Sequence, residues 1–179
     1  MPNMTTFDII HKPAYGRTPF ALVSLEIESG LTKHRLHYDD NKKYEGVLDT
    51  CSESTYFPLE WIKELGIEER VHEIDDTPVR TLMGVSNLTL HCYHVRLWLN
   101  GLKVPDAVKV CVPFDDKDGE LMPLEGPPYA IIGQNVLFGF YTRFDGPNSA
   151  GAIREKPCCA APPQNPNCLQ RLVSLVRWL

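Results

Sequence analysis

Across 179 residues no run approaches the roughly 18 uninterrupted apolar residues that would cross a bilayer. The N-terminal stretch MPNMTTFDIIHKPAYG also lacks a basic segment followed by an apolar core, so no secretory leader is read there and a cytoplasmic location is expected. Long basic runs are missing too. With a formal net charge of -5, neither nucleic acid nor a membrane surface is expected as a main partner. Paired Cys-x-x-Cys motifs are absent: Cys51, Cys92 and Cys111 are scattered, and Cys158, Cys159 and Cys168 lie in PCCAAPPQNPNC with the wrong spacing for structural zinc. A chain of this size without an export signal does not need disulfide staples, so free thiols and no metal are expected. The acidic stretch FDDKDGEL, with Asp115, Asp116, Asp118 and Glu120, lacks complete EF-hand spacing and reads as a solvated loop.

What is present fits one globular domain with extensions. From Thr18 to Gly146 short apolar or alternating runs broken by turns favour strands over helices. TPFALVSLEIES and KHRLHYDD read as a strand pair. YEGVLDT is more continuously apolar and reads as a strand buried on both faces, followed by a short helix in PLEWIKELGI between Pro58 and Gly66. NLTLHCYHVRLWLNGLKV reads as two strands joined by an Asn100-Gly101 hairpin turn, so the sheet is expected to be largely antiparallel. DAVKVCVPFDD adds a strand, and FYTRFDG closes the domain. Residues 1–17 read as an N-terminal extension, 18–146 as the domain, and 147–164, rich in proline and small residues, as a linker. Residues 165–179 read as an amphipathic helix, with Leu169, Leu172, Val173, Val176 and Leu179 on one face.

Two corners stand out. In GVLDTCSESTYFP, residues 46–58, an apolar run ends on a lone carboxylate, Asp49, followed by Thr50, Cys51, Ser52 and Glu53. Alone, an Asp-Thr at a strand end is usually a turn or a helix cap. In AIIGQNVL, residues 130–137, a second apolar run, with Ile131 and Ile132, meets a turn at Gly133. These two motifs, in this order and about 80 residues apart, resemble the retropepsin-like (retroviral-type) aspartic proteases. The first resembles the family's Asp-Thr/Ser-Gly loop and the second its apolar-apolar-Gly segment. The stretch between them resembles the flap hairpin, with Met83, Gly84 and Val85 at its tip. The resemblance covers roughly residues 19–146.

It implies an all-β, retropepsin-like acid protease fold: a closed, barrel-like half with a flap hairpin and short helices, assembled as a two-fold homodimer. Asp49 is then catalytic, and Thr50, Cys51 and Ser52 support the active-site loop. Glu53, Met83, Gly84 and Val85 contact a peptide or protein substrate, and Ile131, Ile132 and Gly133 pack the second corner. No cofactor is implied. The chemistry uses two carboxylates around one water, one ionised to take its proton and one protonated to polarise the scissile carbonyl; charges so close cannot both ionise, so the pair shares a proton. The chain's other Asp-Thr, Asp76-Thr77, precedes Pro78 and follows no apolar strand, so the second carboxylate is expected from Asp49 of another copy.

Two departures bear on activity. Cys51 stands where the family usually has glycine, so its Cβ and sulfur must find room in the cleft. Gln134 stands where an arginine is common, so the usual ion pair to an acidic residue, here Glu53, becomes at most a neutral hydrogen bond. Cys51 as a nucleophile is disfavoured, because a neighbouring carboxylate opposes thiolate formation and no histidine is placed beside it by a recognisable motif. His91 and His94 alternate with apolar residues and read as solvent-facing strand positions, and Trp61, Trp98 and Trp178 as core or interface. The rival function is a catalytically silent domain of the same fold that binds peptides or mediates dimerisation.

Overall fold

The computed structural model describes residues 4–10, 20–37, 42–75, 79–81, 84–86, 88–117, 120–124, 128–145 and 150–156. The strands are β1 (Met4–Ile10), β2 (Phe20–Ser29), β3 (Arg35–Leu36), β4 (Glu45–Leu48) and β5 (Thr55–Tyr56). A one-and-a-half-turn helix α1 (Leu59–Glu64) follows, then β6 (Glu73–Asp75), β7 (Val79–Thr81), β8 (Gly84–Ser86), β9 (Leu88–Leu99) and β10 (Leu102–Lys103). The rest comprises β11 (Val108–Lys117), β12 (Glu120–Pro123), β13 (Ala130–Ile132), α2 (Gln134–Leu137), β14 (Phe140–Asp145) and β15 (Ala150–Glu155).

One mixed sheet dominates, in the order β10-β9-β11-β5-β13-β4-β2-β1-β15-β14, and β9 also pairs with β2. That extra pairing curls the sheet back on itself. Alternation drives it: along β2, Val23, Leu25 and Ile27 face inward while Ser24, Glu26 and Glu28 are more exposed, and β9 likewise buries Val95, Leu97 and Leu99. The two strands pair with Leu25 opposite Leu99 and Ile27 opposite Leu97, so these inward rows share one core. The Asn100-Gly101 turn forms as expected, with φ of 46° and 79°. Asn100 pins it to two strands: its Oδ1 accepts from the Ser24 backbone N–H at 2.6 Å and its Nδ2 donates to the Thr6 carbonyl at 2.7 Å.

Helix α1 opens directly after Pro58, which occupies the N-cap with φ -60° and ψ 140°. It buries Trp61 and Ile62, and Trp61 meets Tyr44 and Phe57 edge-on at 5.3 and 5.4 Å. Trp98 is half-buried, with the Arg35 guanidinium 4.5 Å from its ring.

The sheet reaches beyond residues 18–146 at both ends. β1 pairs with β2 and β15, and β15 lies inside the stretch read as a linker. The small residues that suggested a linker have a packing reason. A Cβ at Gly151 would lie 2.2 Å from the Phe7 ring, so the ring occupies the space a side chain would need, while Ile153 beside it is fully buried. FDDKDGEL is likewise not a simple loop: β11 continues through Asp115 and Asp116 and pairs with β12, placing Asp115 opposite Met122. His94 is exposed as expected, but His91 is half-buried, its ring 4.3 Å from that of Phe114. The proposed helix at 165–179 lies outside the described residues.

Candidate active site

Strand β4 delivers Asp49. Gly46, Val47 and Leu48 are buried, and β4 runs parallel to β13, with Val47 opposite Ile131 and Leu48 opposite Ile132. The Asp49 N–H continues that ladder by donating to the Ile132 carbonyl at 2.9 Å. Its side chain then turns back, and Oδ1 accepts the Cys51 N–H at 2.9 Å. A carboxylate two residues before a free backbone N–H forms this turn readily. Asp49 is half-buried, while Thr50, Cys51 and Glu53 are exposed and Ser52 is half-buried.

The second corner laces through the first. Gly133 has an ordinary extended backbone, φ -90° and ψ -175°, so its requirement is space. A Cβ there would lie 2.2 Å from the Ser54 carbonyl oxygen and 2.9 Å from that of Ser52. Past it, the Gln134 N–H donates to the Ser52 carbonyl at 2.8 Å and the Asn135 N–H to the Glu53 carbonyl at 3.2 Å. Ile132 and Gly133 are buried behind the loop and Ile131 is half-buried.

Thr55 and Asn135, which sequence reasoning left without a role, hold the crossing. Thr55 is fully buried; its hydroxyl accepts the Gly133 N–H at 3.1 Å and donates to Asn135 Oδ1 at 2.7 Å. Asn135 Nδ2 then donates to the Lys109 carbonyl of β11 at 2.8 Å. The partners are 78 and 80 residues apart, so no local pattern marks them.

Gln134 does not reach the Glu53 carboxylate. Its Nε2 donates instead to the Thr50 carbonyl at 2.6 Å, the nearer acceptor for a side chain shorter than arginine. Glu53 joins the crossing through its backbone. In the hairpin read as a flap, β7 and β8 form a separate two-stranded sheet, with Arg80 opposite Val85 and Thr81 opposite Gly84. Met83 lies outside the described residues. Cys51, Cys92 and Cys111 are free thiols. A cavity of about 540 Å³, lined by Ile67, Val71, His72, Tyr93 and His94 among others, takes no residue from the Asp49 loop.

A strand-end carboxylate, the Cys51 N–H folded back onto it and a glycine corner crossing beneath thus meet at one place. Comparison with solved structures agrees at the level of fold. The chain is similar to a retropepsin-like aspartic protease from Rickettsia conorii, with a TM-score of 0.52 and 12% sequence identity, over 87% of this chain and 94% of that one. The fold is therefore retropepsin-like. No family model matches the sequence, and no curated protein matches it. No helix among the described residues is long and apolar enough to cross a membrane.

Proposed function

We propose that the protein is an aspartic endopeptidase that works as a homodimer, with Asp49 of each copy forming the catalytic pair. The observation that carries this reading is the Asp49 carboxylate, held by the Cys51 N–H over the Gly133 crossing of a retropepsin-like fold. Among the described residues one chain offers one carboxylate of this kind, and the reaction needs two. In the dimer the two carboxylates share a proton. The ionised one takes a proton from water, the protonated one donates a hydrogen bond to the scissile carbonyl, and the roles exchange as the tetrahedral intermediate collapses. Water is the nucleophile and no cofactor takes part. The β7–β8 hairpin, with Met83, Gly84 and Val85, closes over an extended peptide, and Glu53 lies at the edge of the cleft.

Cys51 is compatible with this reading on two counts. Its backbone N–H serves the carboxylate as a glycine's would, and its side chain is exposed rather than wedged into the loop. The same exposed sulfur on the face that must meet substrate is what favours the second reading, a silent peptide-binding or dimerising domain. Digestion of a peptide library at several pH values, comparing wild type with Asp49→Asn, separates them. Cleavage that peaks at mildly acidic pH and disappears in Asp49→Asn supports the endopeptidase. Undiminished cleavage by Asp49→Asn refutes it; tight, Asp49-dependent binding of a hydroxyl-bearing tetrahedral mimic favours a working dyad, and peptide binding without cleavage or mimic affinity selects the silent domain.

A further inference from the structure

Cys92 on β9 and Cys111 on β11 stand directly opposite each other, with their sulfurs 2.9 Å apart. The surrounding hydrogen bonds identify the kind of pair they form. The Cys92 carbonyl accepts from the His72 N–H at 2.8 Å, on the β6 side of β9, and the Cys111 carbonyl accepts from the Phe57 N–H at 3.0 Å, on the β5 side of β11. Both residues therefore aim their backbone groups away from each other, which makes them a non-hydrogen-bonded antiparallel pair. Such pairs hold their Cα atoms about 4.5 Å apart, inside the range that a disulfide spans, of about 4.4–6.8 Å. Pro113, two residues on and opposite Leu90, has the same parity and could not have made a ladder bond. The backbone is thus already set for a cross-link, and the sulfurs need only close from 2.9 Å to about 2.0 Å.

We propose that Cys92 and Cys111 form a reversible dithiol–disulfide site that locks β9 to β11 beside the Asp49 loop. The oxidant is a peroxide. The thiolate of one cysteine attacks a peroxide oxygen, the O–O bond breaks and, with hydrogen peroxide, water leaves, giving a sulfenic acid. The second thiol attacks that sulfur, forming the S–S bond and releasing a second water. Two thiols lose two electrons and hydrogen peroxide gains them; a dithiol reductant reverses the step. The site does not rest on the proteolytic reading.

Its surroundings set the rate and the consequence. Both cysteines are buried, in a small apolar cluster with Leu88 and Leu90 that is separate from the main core and capped by half-exposed Tyr56. Burial is the main cause pushing both thiols above their ordinary range, Cys111 the further, while the hydrogen bond from Cys111 favours the Cys92 thiolate. Lys109 on β11 favours both thiolates; Glu73 on β6 opposes that of Cys92 and Asp75 on β6 opposes both. Cys92 is therefore the attacking sulfur, and oxidation accelerates as pH rises. Peroxide enters when the three-residue edge strand β6 opens. Because β11 also pairs with Thr55 and Tyr56 and holds Asn135, the cross-link stiffens the strand on which the crossing is built.

The test treats the full chain with hydrogen peroxide, alkylates the remaining thiols after unfolding, and maps the peptides by mass spectrometry. The expected product is a linked Cys92–Cys111 peptide pair, two hydrogens lighter than the reduced peptides and recovered by dithiothreitol. Its yield rises with pH, and the thermal midpoint of the cross-linked protein is higher by roughly 6–12 °C, as a cross-link closing a loop of this length implies. Cys111→Ser should abolish both the link and the midpoint shift. If Cys51 is oxidised while Cys92 and Cys111 are recovered as free thiols at every pH, the proposal is overturned; that result comes from the wild type alone and does not depend on the variant folding.

Discussion

Replacing Gly133 with alanine tests the crossing on which the site depends. The backbone there is extended, so alanine adds no conformational strain and the effect is purely one of space. The new Cβ would lie 2.2 Å from the Ser54 carbonyl oxygen, 2.6 Å from its carbon and 2.9 Å from the Ser52 oxygen, against an ordinary contact of about 3.5 Å. All three are backbone atoms, so no flexible side chain can swing away and the two corners must separate. That separation strains the bonds from Gly133 to Thr55, Gln134 to Ser52 and Asn135 to Glu53. Overpacking costs about 1–3 kcal/mol and each of the three weakened hydrogen bonds about 1 kcal/mol, giving a destabilisation of roughly 4–6 kcal/mol. Urea denaturation at one fixed protein concentration measures it, since self-association would otherwise shift the midpoint. Gly30→Ala is the control, because nothing lies within 4 Å of the added Cβ. If the two variants unfold within about 1 kcal/mol of each other, the crossing does not have the tightness argued here.

Thr55→Val should cost about 1–3 kcal/mol and reduce peptidase activity, because it leaves the buried Gly133 N–H without its acceptor, whereas Thr55→Ser should restore most of both. A Thr55→Val protein as stable as wild type would remove Thr55 from the argument. Cys51→Gly should retain or raise peptide cleavage, since the N–H that Asp49 uses remains; complete loss of activity in a folded variant would point to the sulfur instead. For pH, the Tyr44 hydroxyl at 2.5 Å is the main cause holding Glu64 below the ordinary carboxylate range; burial opposes it, and Lys42 at 3.0 Å adds to the lowering. A lowered folded-state pKa gives stability that is present above the ordinary carboxyl pKa and lost as pH falls through the folded value. Tyr44→Phe should therefore flatten the acid side of the stability profile, by a small amount because Glu64 is about a third exposed and solvent-screened. An unchanged acid limb in titrated thermal melts would contradict this.

Local signals in the sequence were reliable where one residue type has one physical job. The apolar run into Asp49, the helix opening after Pro58 and the Asn100-Gly101 turn all formed where their chemistry placed them. Reading failed where a residue's identity answers to a distant partner. Gly151 and its small neighbours looked like linker because the Phe7 ring that fills their space is far away in sequence. For Gln134 the resemblance leaves at most a neutral hydrogen bond to Glu53, yet its amide donates to the Thr50 carbonyl. Thr55 and Asn135 carried no local mark at all, since a buried hydroxyl shows its purpose only when the donor and acceptor on either side of it are known.

That pattern explains why β11 matters more to the site than its sequence suggests. DAVKVCVPFDD contains no residue that would be nominated for catalysis, yet its strand pairs with β5 through Val110 and Cys111 and receives Asn135 at the Lys109 carbonyl. The first corner leaves through β5 and the second turns at Gly133 toward Asn135, so both corners are referenced to the same strand. Moving β11 would shift both supports together and preserve their crossing; loosening its pairing with β9 would let each drift separately. The long β9–β11 ladder, from Val95 opposite Val108 to Leu88 opposite Asp115, opposes such drift. Asp49 is consequently positioned less by its own loop than by a ladder that no motif marks, and changes in β9 or β11 should reach the site through Thr55 and Asn135 before they alter Asp49 itself.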